Sequence, residues 1–107
     1  MSGKAYITDY IVYPNIEKKI LGKNFSSKKN KDVEVLLVWN QIINNKYLKQ
    51  FPNLKGIVRY GVGIDKINQN DVKKRNLIVC NTPDYASDEV SDTALAYLLM
   101  ITRGVSK

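Results

Sequence analysis

The segment Val33-Glu34-Val35-Leu36-Leu37-Val38-Trp39 is apolar at every position but one and rich in β-branched residues. A run this short and this continuous reads as a strand. Because it does not alternate, it suits a parallel strand covered on both faces rather than a half-solvated antiparallel one. Parallel neighbours cannot be joined by tight hairpins, so crossover helices must lie between the strands. The rest of the chain supplies that alternation. A first strand is expected near Ala5–Thr8, in the β-branched and aromatic stretch that runs from Lys4 to Tyr13. A short helix should then run from Asn15 to Leu21 and stop at Gly22, with a brief strand around Asn24–Phe25. Asn44 or Asn45 should cap a helix that Pro52 cannot let continue. Leu54–Arg59 reads as the next strand. A helix capped by Asn68 or Asn70 should end near Arg75, with Asn76 as its C-terminal cap, and Leu77–Cys80 should form a short buried strand. The pattern predicts one open α/β domain with a parallel sheet.

The last element is a helix from Ser87 to Arg103, with acids in its first turn, an arginine in its last and Gly104 as its stop. Residues Ala94 to Ile101 are apolar on nearly every side, which is normal only for a helix buried all round. That predicts cover from an identical chain or from a larger parent protein. Self-association through Val90, Ala94, Leu95, Leu98 and Ile101 is the expectation for the chain alone.

Several function classes drop out on composition. None of the 107 residues is histidine, which removes the commonest general base and the commonest metal ligand, and no metal site is expected. Cys80 is the only cysteine, so no internal disulfide can form and a reducing compartment is favoured. No apolar stretch approaches ~20 residues and no signal peptide is legible, so no membrane partner is expected and a cytoplasmic location is. The net charge of +7 comes mainly from dispersed lysines at expected helix ends and loops, without a recognition-helix or aromatic–basic pattern. A solvated surface accounts for it, and nucleic acid is not expected as a partner.

The segment Arg59-Tyr60-Gly61-Val62-Gly63-Ile64-Asp65 follows a strand and contains two glycines. In open parallel sheets, ligands bind beyond the carboxyl ends of the strands. The segment is neither the dinucleotide fingerprint, whose sixth position is here Lys66, nor a phosphate loop ending in Gly-Lys-Ser/Thr. It can offer bare backbone N–H groups to a small anion such as a carboxylate, or it can be an unoccupied tight turn.

The wording around that turn is distinctive. PNLKGIVRYGVGIDKIN and KKRNLIVCNTPDYASDEVSDTALAYLLMITRG closely resemble the N-terminal, substrate-binding part of the D-isomer-specific 2-hydroxyacid dehydrogenases. The second stretch is most similar to the subgroup around the C-terminal-binding-protein corepressors and the phosphoglycerate dehydrogenases. The match is close from about Asp32 to Gly104 and only general before that. The resemblance implies a flavodoxin-like domain over residues 1–86, and a helix over 87–104 crossing into an NAD-binding domain of a longer parent chain. It implies that backbone amides of Val62 and Gly63 hold the substrate carboxylate, with Gly61 beside them and Trp39 and Asn40 lining the same cleft. Arg59 and Tyr60 flank it, and Asp65 is expected to fix the loop or cap the next helix. Asn81-Thr82-Pro83 would form the entry to the crossing helix, where Asp92 can face the nicotinamide side. The parent's acid–base histidine, its paired glutamate, its substrate arginine and its NAD loop have no counterpart in these residues. The chain by itself is therefore expected to bind a small 2-hydroxy or 2-oxo acid, to bind no NAD and to catalyse nothing. A non-catalytic binding module or a corepressor-like interaction domain is the alternative.

Overall fold

The computed structural model describes residues 3–11 and 13–105; Met1, Ser2, Val12, Ser106 and Lys107, the ends of the stretches discussed above among them, lie outside the described residues. The elements run β1 (Lys4–Ile7), α1 (Asn15–Leu21), a 3-10 turn (Gly22–Asn24), β2 (Phe25–Ser26), β3 (Val33–Val38), α2 (Asn45–Leu48), β4 (Gly56–Arg59), α3 (Gln69–Lys74), β5 (Ile78–Cys80) and α4 (Ser87–Arg103). All strand pairs are parallel, in the order β2-β1-β3-β4-β5. This is the open α/β sheet with flanking helices that the apolar run of β3 demands, in the flavodoxin-like strand order.

Side-chain capping sets the short helices. The Asn44 carboxamide accepts a hydrogen bond from Tyr47 N at 3.0 Å, and Asn68 accepts from the N–H groups of Asn70 and Asp71, each at 3.1 Å. These bonds satisfy donors that a helix start leaves orphaned. The Asp71 carboxylate reaches across to Asn45 N at 2.8 Å, tying α3 to the start of α2. The Arg75 guanidinium closes the other end by donating to the carbonyls of Leu48 and Phe51. Asn76 takes the left-handed conformation (φ 53°) that ends α3, as an asparagine tolerates.

The main core lies between the sheet and the α2/α3 layer, built from Val33, Leu36, Val38, Ile43, Leu48, Phe51, Ile57, Ile67 and Val72, all almost fully buried. The opposite face is different. Ala5, Ile7 and Leu37 pack there with Leu21 and Phe25 near α1, while Val35 and Val58 are only half-buried. Leu77–Cys80 is therefore not the buried strand expected. Leu77 is buried, but Ile78 is 70% exposed and Cys80 is exposed, because β5 is an edge strand with cover on one face only. The central strand β3 is buried on that opposite face at Leu37 and half-buried at Val35.

Helix α4 has no buried residue along its 17 positions. Its first turn carries Asp88 and Glu89, its last Arg103, and Gly104 ends it with φ 63°. At 100° per residue, Val90, Ala94, Tyr97, Leu98 and Ile101 share one face, and the charged residues lie opposite. Leu95 sits about 100° round from the centre of that face, so it is the member of the expected set that falls outside the stripe. The radius of gyration is 17.9 Å, against about 13 Å for a compact chain of this length, because α4 extends away from the sheet.

Candidate functional site

The carboxyl ends of β3 and β4 and the segment after β5 converge on the glycine turn. Gly61 is buried and has φ 145°, a backbone region that side chains rarely adopt; a Cβ there would lie 2.6 Å from Arg59 Nη1. Gly63 carries no such conformational demand. A Cβ on it would sit 2.9 Å from Asp65 Oδ1, so its bareness is set by the carboxylate folded against it. The two glycines thus answer different needs: Gly61 makes the turn and Gly63 leaves room beside it.

The turn is pinned from the β5–α4 connection. Gly61 N donates to Thr82 Oγ1 at 2.7 Å, and Thr82 N donates back to Gly61 O at 3.1 Å. Asn81 Nδ2 donates to Val62 O at 2.9 Å. Asn81 and Thr82 therefore hold the loop rigid as well as leading into α4, a link that spacing along the chain could not reveal. Among the described residues, the N–H groups of Val62 and Gly63 donate to no protein acceptor. The Arg59 guanidinium bends back over Gly61 and donates to Tyr60 O, which puts a positive charge on the border of the hollow that Val62 also lines.

Two adjoining hollows open next to the turn. One, of about 510 Å³, is lined by Ile11, Trp39, Tyr60, Gly61, Thr82 and Tyr85. The other, of about 470 Å³, shares Trp39, Tyr60, Gly61 and Tyr85 and adds Arg59, Val62 and the first two turns of α4. Trp39, Gly61 and Val62 thus come together, with Trp39 and Val62 both exposed to the cleft. Asn40 and Gly63 do not line either hollow. The Asn40 carboxamide instead accepts from Lys66 Nζ. Asp65 does not cap α3, since Asn68 does so, and its carboxylate lies against Gly63. Asp92 lies on the charged face of α4 and touches neither hollow.

One group escaped the sequence reading. Asp9, just past β1, accepts from Trp39 N and Asn40 N, both at 2.8 Å, and from Thr8 Oγ1 at 2.7 Å. Partial burial by itself pushes its carboxyl up, but the bonds from Thr8 and the two N–H groups outweigh that and hold it below its ordinary 3.8. It fixes the β3–α2 loop that carries Trp39. An acid directly after a strand, at the point where the strand order reverses between β1 and β3, was the available signal. Tyr60 flanks the same cleft. Burial first, and then the Glu17 carboxylate, which accepts from its hydroxyl at 3.2 Å, push it up to about 12. The phenol stays protonated near neutral pH and braces β4 against α1.

A separate hollow of about 330 Å³ lies at the ends of β1 and β2, bordered by Thr8, Asp9, Lys18 and Ser26. It holds none of the free loop N–H groups. Among the described residues no cluster of three or more Cys, Asp or Glu could hold a metal. The glycine turn does not fit a dinucleotide either. The glycine turn does not open a helix, α3 begins only at Gln69 under its own Asn68 cap, and the N–H of Gly61 is already spent on Thr82.

The sequence pattern of the D-isomer specific 2-hydroxyacid dehydrogenase catalytic domain matches residues 7–104. The chain belongs to that family. It is 33% identical over 92 residues to a glyoxylate reductase of Pyrococcus horikoshii, covering 85% of this chain and 28% of that protein. It is 36% identical over 74 residues to the glyoxylate reductase of Thermococcus litoralis, covering 69% and 22%. The chain thus spans about a quarter of the length of these curated relatives. Among solved structures, the family fold recurs in D-lactate dehydrogenase of Aquifex aeolicus, complexed with NAD and lactic acid. The TM-score is 0.78 at 22% identity, over 91% of this chain and 33% of that one. The NAD-bound 3-phosphoglycerate dehydrogenase of Entamoeba histolytica gives a TM-score of 0.75 at 21% identity, over 94% and 39%. No described helix of this family member is long and apolar enough to cross a membrane.

Proposed function

We propose that residues 59–65 bind the carboxylate of a small 2-hydroxy or 2-oxo acid. The parent protein would be a cytoplasmic NAD-dependent oxidoreductase acting on the CH–OH group of a D-2-hydroxy acid, working as a 2-oxo acid reductase. The observation that carries this reading is the pair of undirected N–H groups at Val62 and Gly63, on a loop held still by Asn81 and Thr82. Two adjacent N–H donors match the two oxygens of a carboxylate, and a fixed loop loses little entropy when it binds. The Arg59 guanidinium adds positive charge on the same side, and Trp39 and Tyr85 supply apolar walls for the short carbon chain. Asn40, turned toward Lys66, reaches the acid only by releasing that partner. The glyoxylate reductases among the relatives support the choice of a short 2-oxo acid.

In this reading residues 1–86 form the acid-binding domain, and the segment 87–104, which holds α4, crosses toward an NAD-binding domain outside these residues. With no histidine and a glycine turn that does not fit a dinucleotide, the 107-residue chain by itself binds acid without turning it over. It self-associates through the apolar stripe of α4 when that domain is not there to cover it.

The test is a proton–nitrogen NMR titration of the labelled chain with glyoxylate, pyruvate, hydroxypyruvate and NADH. Millimolar acid should move the amide signals of Val62 and Gly63, with Trp39 following, and NADH should move none of them. Unmoved Val62 and Gly63 signals at saturating acid would remove the site while leaving the family and the fold in place.

A further inference from the structure

The crevice of this sheet lies where the strand order reverses, between β1 and β3. Asp9 stands at that point and bridges it. Its carboxylate, on the loop that follows β1, accepts from Trp39 N and Asn40 N, each at 2.8 Å, on the loop that follows β3. Thr8 strengthens the tie: its hydroxyl donates to Asp9 Oδ2 at 2.7 Å, and its N–H donates to Leu37 O at 3.0 Å. One carboxylate thus holds two loops together that are about thirty residues apart along the chain.

Each of these loops gives a wall to the apolar hollow beside the glycine turn: Ile11, just beyond Asp9, and Trp39 itself. Trp39 is 57% exposed, so core packing does little to fix its ring, and the backbone that carries it is fixed by Asp9. Gly61 and Thr82, which line the same hollow, have an anchor of their own. Gly61 N donates to Thr82 Oγ1, Thr82 N donates back to Gly61 O, and Asn81 donates to Val62 O. The site therefore has two separately held halves. The carboxylate end, at Val62 and Gly63, depends on Asn81 and Thr82, and the end that receives the carbon side chain depends on Asp9. Asp9 lines neither hollow beside the turn.

We propose that Asp9 is a positioning residue for acid binding: it sets the spacing between Ile11 and Trp39, and through that spacing the fit of the acid's carbon side chain. The inference rests on the acid-binding reading above and adds to it the residue that governs selectivity among acids. Asparagine at position 9 keeps the shape but not the bonding. A carboxamide has a single acceptor oxygen, so one of the two loop N–H groups would lose its partner and face the amide NH2 instead. The Trp39 loop then loosens, while the glycine turn keeps its bonds to Asn81 and Thr82.

The test compares glycolate, which has no carbon side chain, with D-2-hydroxy-3-methylbutanoate, which adds three apolar carbons to the same carboxylate. Dissociation constants are read from the Val62 and Gly63 amide signals in proton–nitrogen NMR. Those signals report the folded population alone, so lost stability does not imitate lost affinity. Each buried carbon is worth about fourfold in affinity, and losing about half of that contact should weaken the longer acid about eightfold in Asp9→Asn. Glycolate, held by the carboxylate end alone, should change by less than about twofold. In a Trp39→Ala background, Asp9→Asn should weaken the longer acid no further, because the wall it positions is gone. Equal weakening of both acids, or an undiminished preference for the longer one, would overturn the positioning role and leave the carboxylate site in place. Val62 and Gly63 signals that neither acid moves in the parent chain would remove the carboxylate site, and this inference with it.

Discussion

Replacing each glycine of the 61–63 turn by alanine separates the two reasons for having them. Gly61 is buried at φ 145°, where a non-glycine residue costs about 1–3 kcal/mol. The new methyl would also displace the Arg59 guanidinium, whose Nη1 lies 2.6 Å from its position, and with it the bond to Tyr60 O, worth about 1 kcal/mol. Lower unfolded-state entropy returns about 0.4–1 kcal/mol, so Gly61→Ala should lose a net of about 1–3 kcal/mol. In urea, with a slope of about 1–1.5 kcal/mol/M for a chain this small, the midpoint should fall by about 0.7–3 M at unchanged slope. At Gly63 the backbone is unstrained and the only obstacle is the free end of the exposed Asp65 side chain, which can swing away. Gly63→Ala should therefore stay within about 0.5 kcal/mol of the parent, yet weaken acid binding by crowding the N–H groups. Equal loss at both positions, or none at Gly61, would refute the division of labour drawn from these two conformations.

Three further outcomes follow from the same contacts. Thr82→Val removes the hydroxyl that accepts from Gly61 N and should lower stability by about 1 kcal/mol, with the glycine-loop amides exchanging faster with solvent in hydrogen-exchange NMR. Asp9 has its folded pKa held below 3.8, so its stabilisation is present above that value and is lost as pH falls through the folded pKa. The stability difference between parent and Asp9→Asn, measured by urea melts, should shrink steadily below about pH 4. Phe51→Ala empties a fully buried position in ring contact with Tyr6 and Tyr47 and should cost about 3–5 kcal/mol, enough to leave much of the chain unfolded by circular dichroism at 25 °C.

How much of this could be read from residues alone divides along a physical line. Local signals carried through: Asn44 and Asn68 cap their helices, Gly22 and Gly104 stop theirs, and the run from Val33 to Val38 imposes a parallel sheet. Each of these depends on atoms within about four residues, which sequence spacing encodes directly. What was not legible depends on which distant segments become neighbours. The apolar stretch Leu77–Cys80 reads the same whether its strand lies at the centre of a sheet or at its edge, and only the strand order settles that Ile78 is exposed. The bond from Gly61 N to Thr82 joins residues 21 apart, and the bonds that Asp9 accepts from Trp39 N and Asn40 N span 30 and 31. The family wording brought Trp39, Asn40 and the glycine turn to one region, but rotamers decide that Trp39 faces the cleft while Asn40 pairs with Lys66. The same logic governs α4. Its stripe is legible as apolar, whereas the surface that covers it is a property of another surface, and no periodicity within the helix can name that surface.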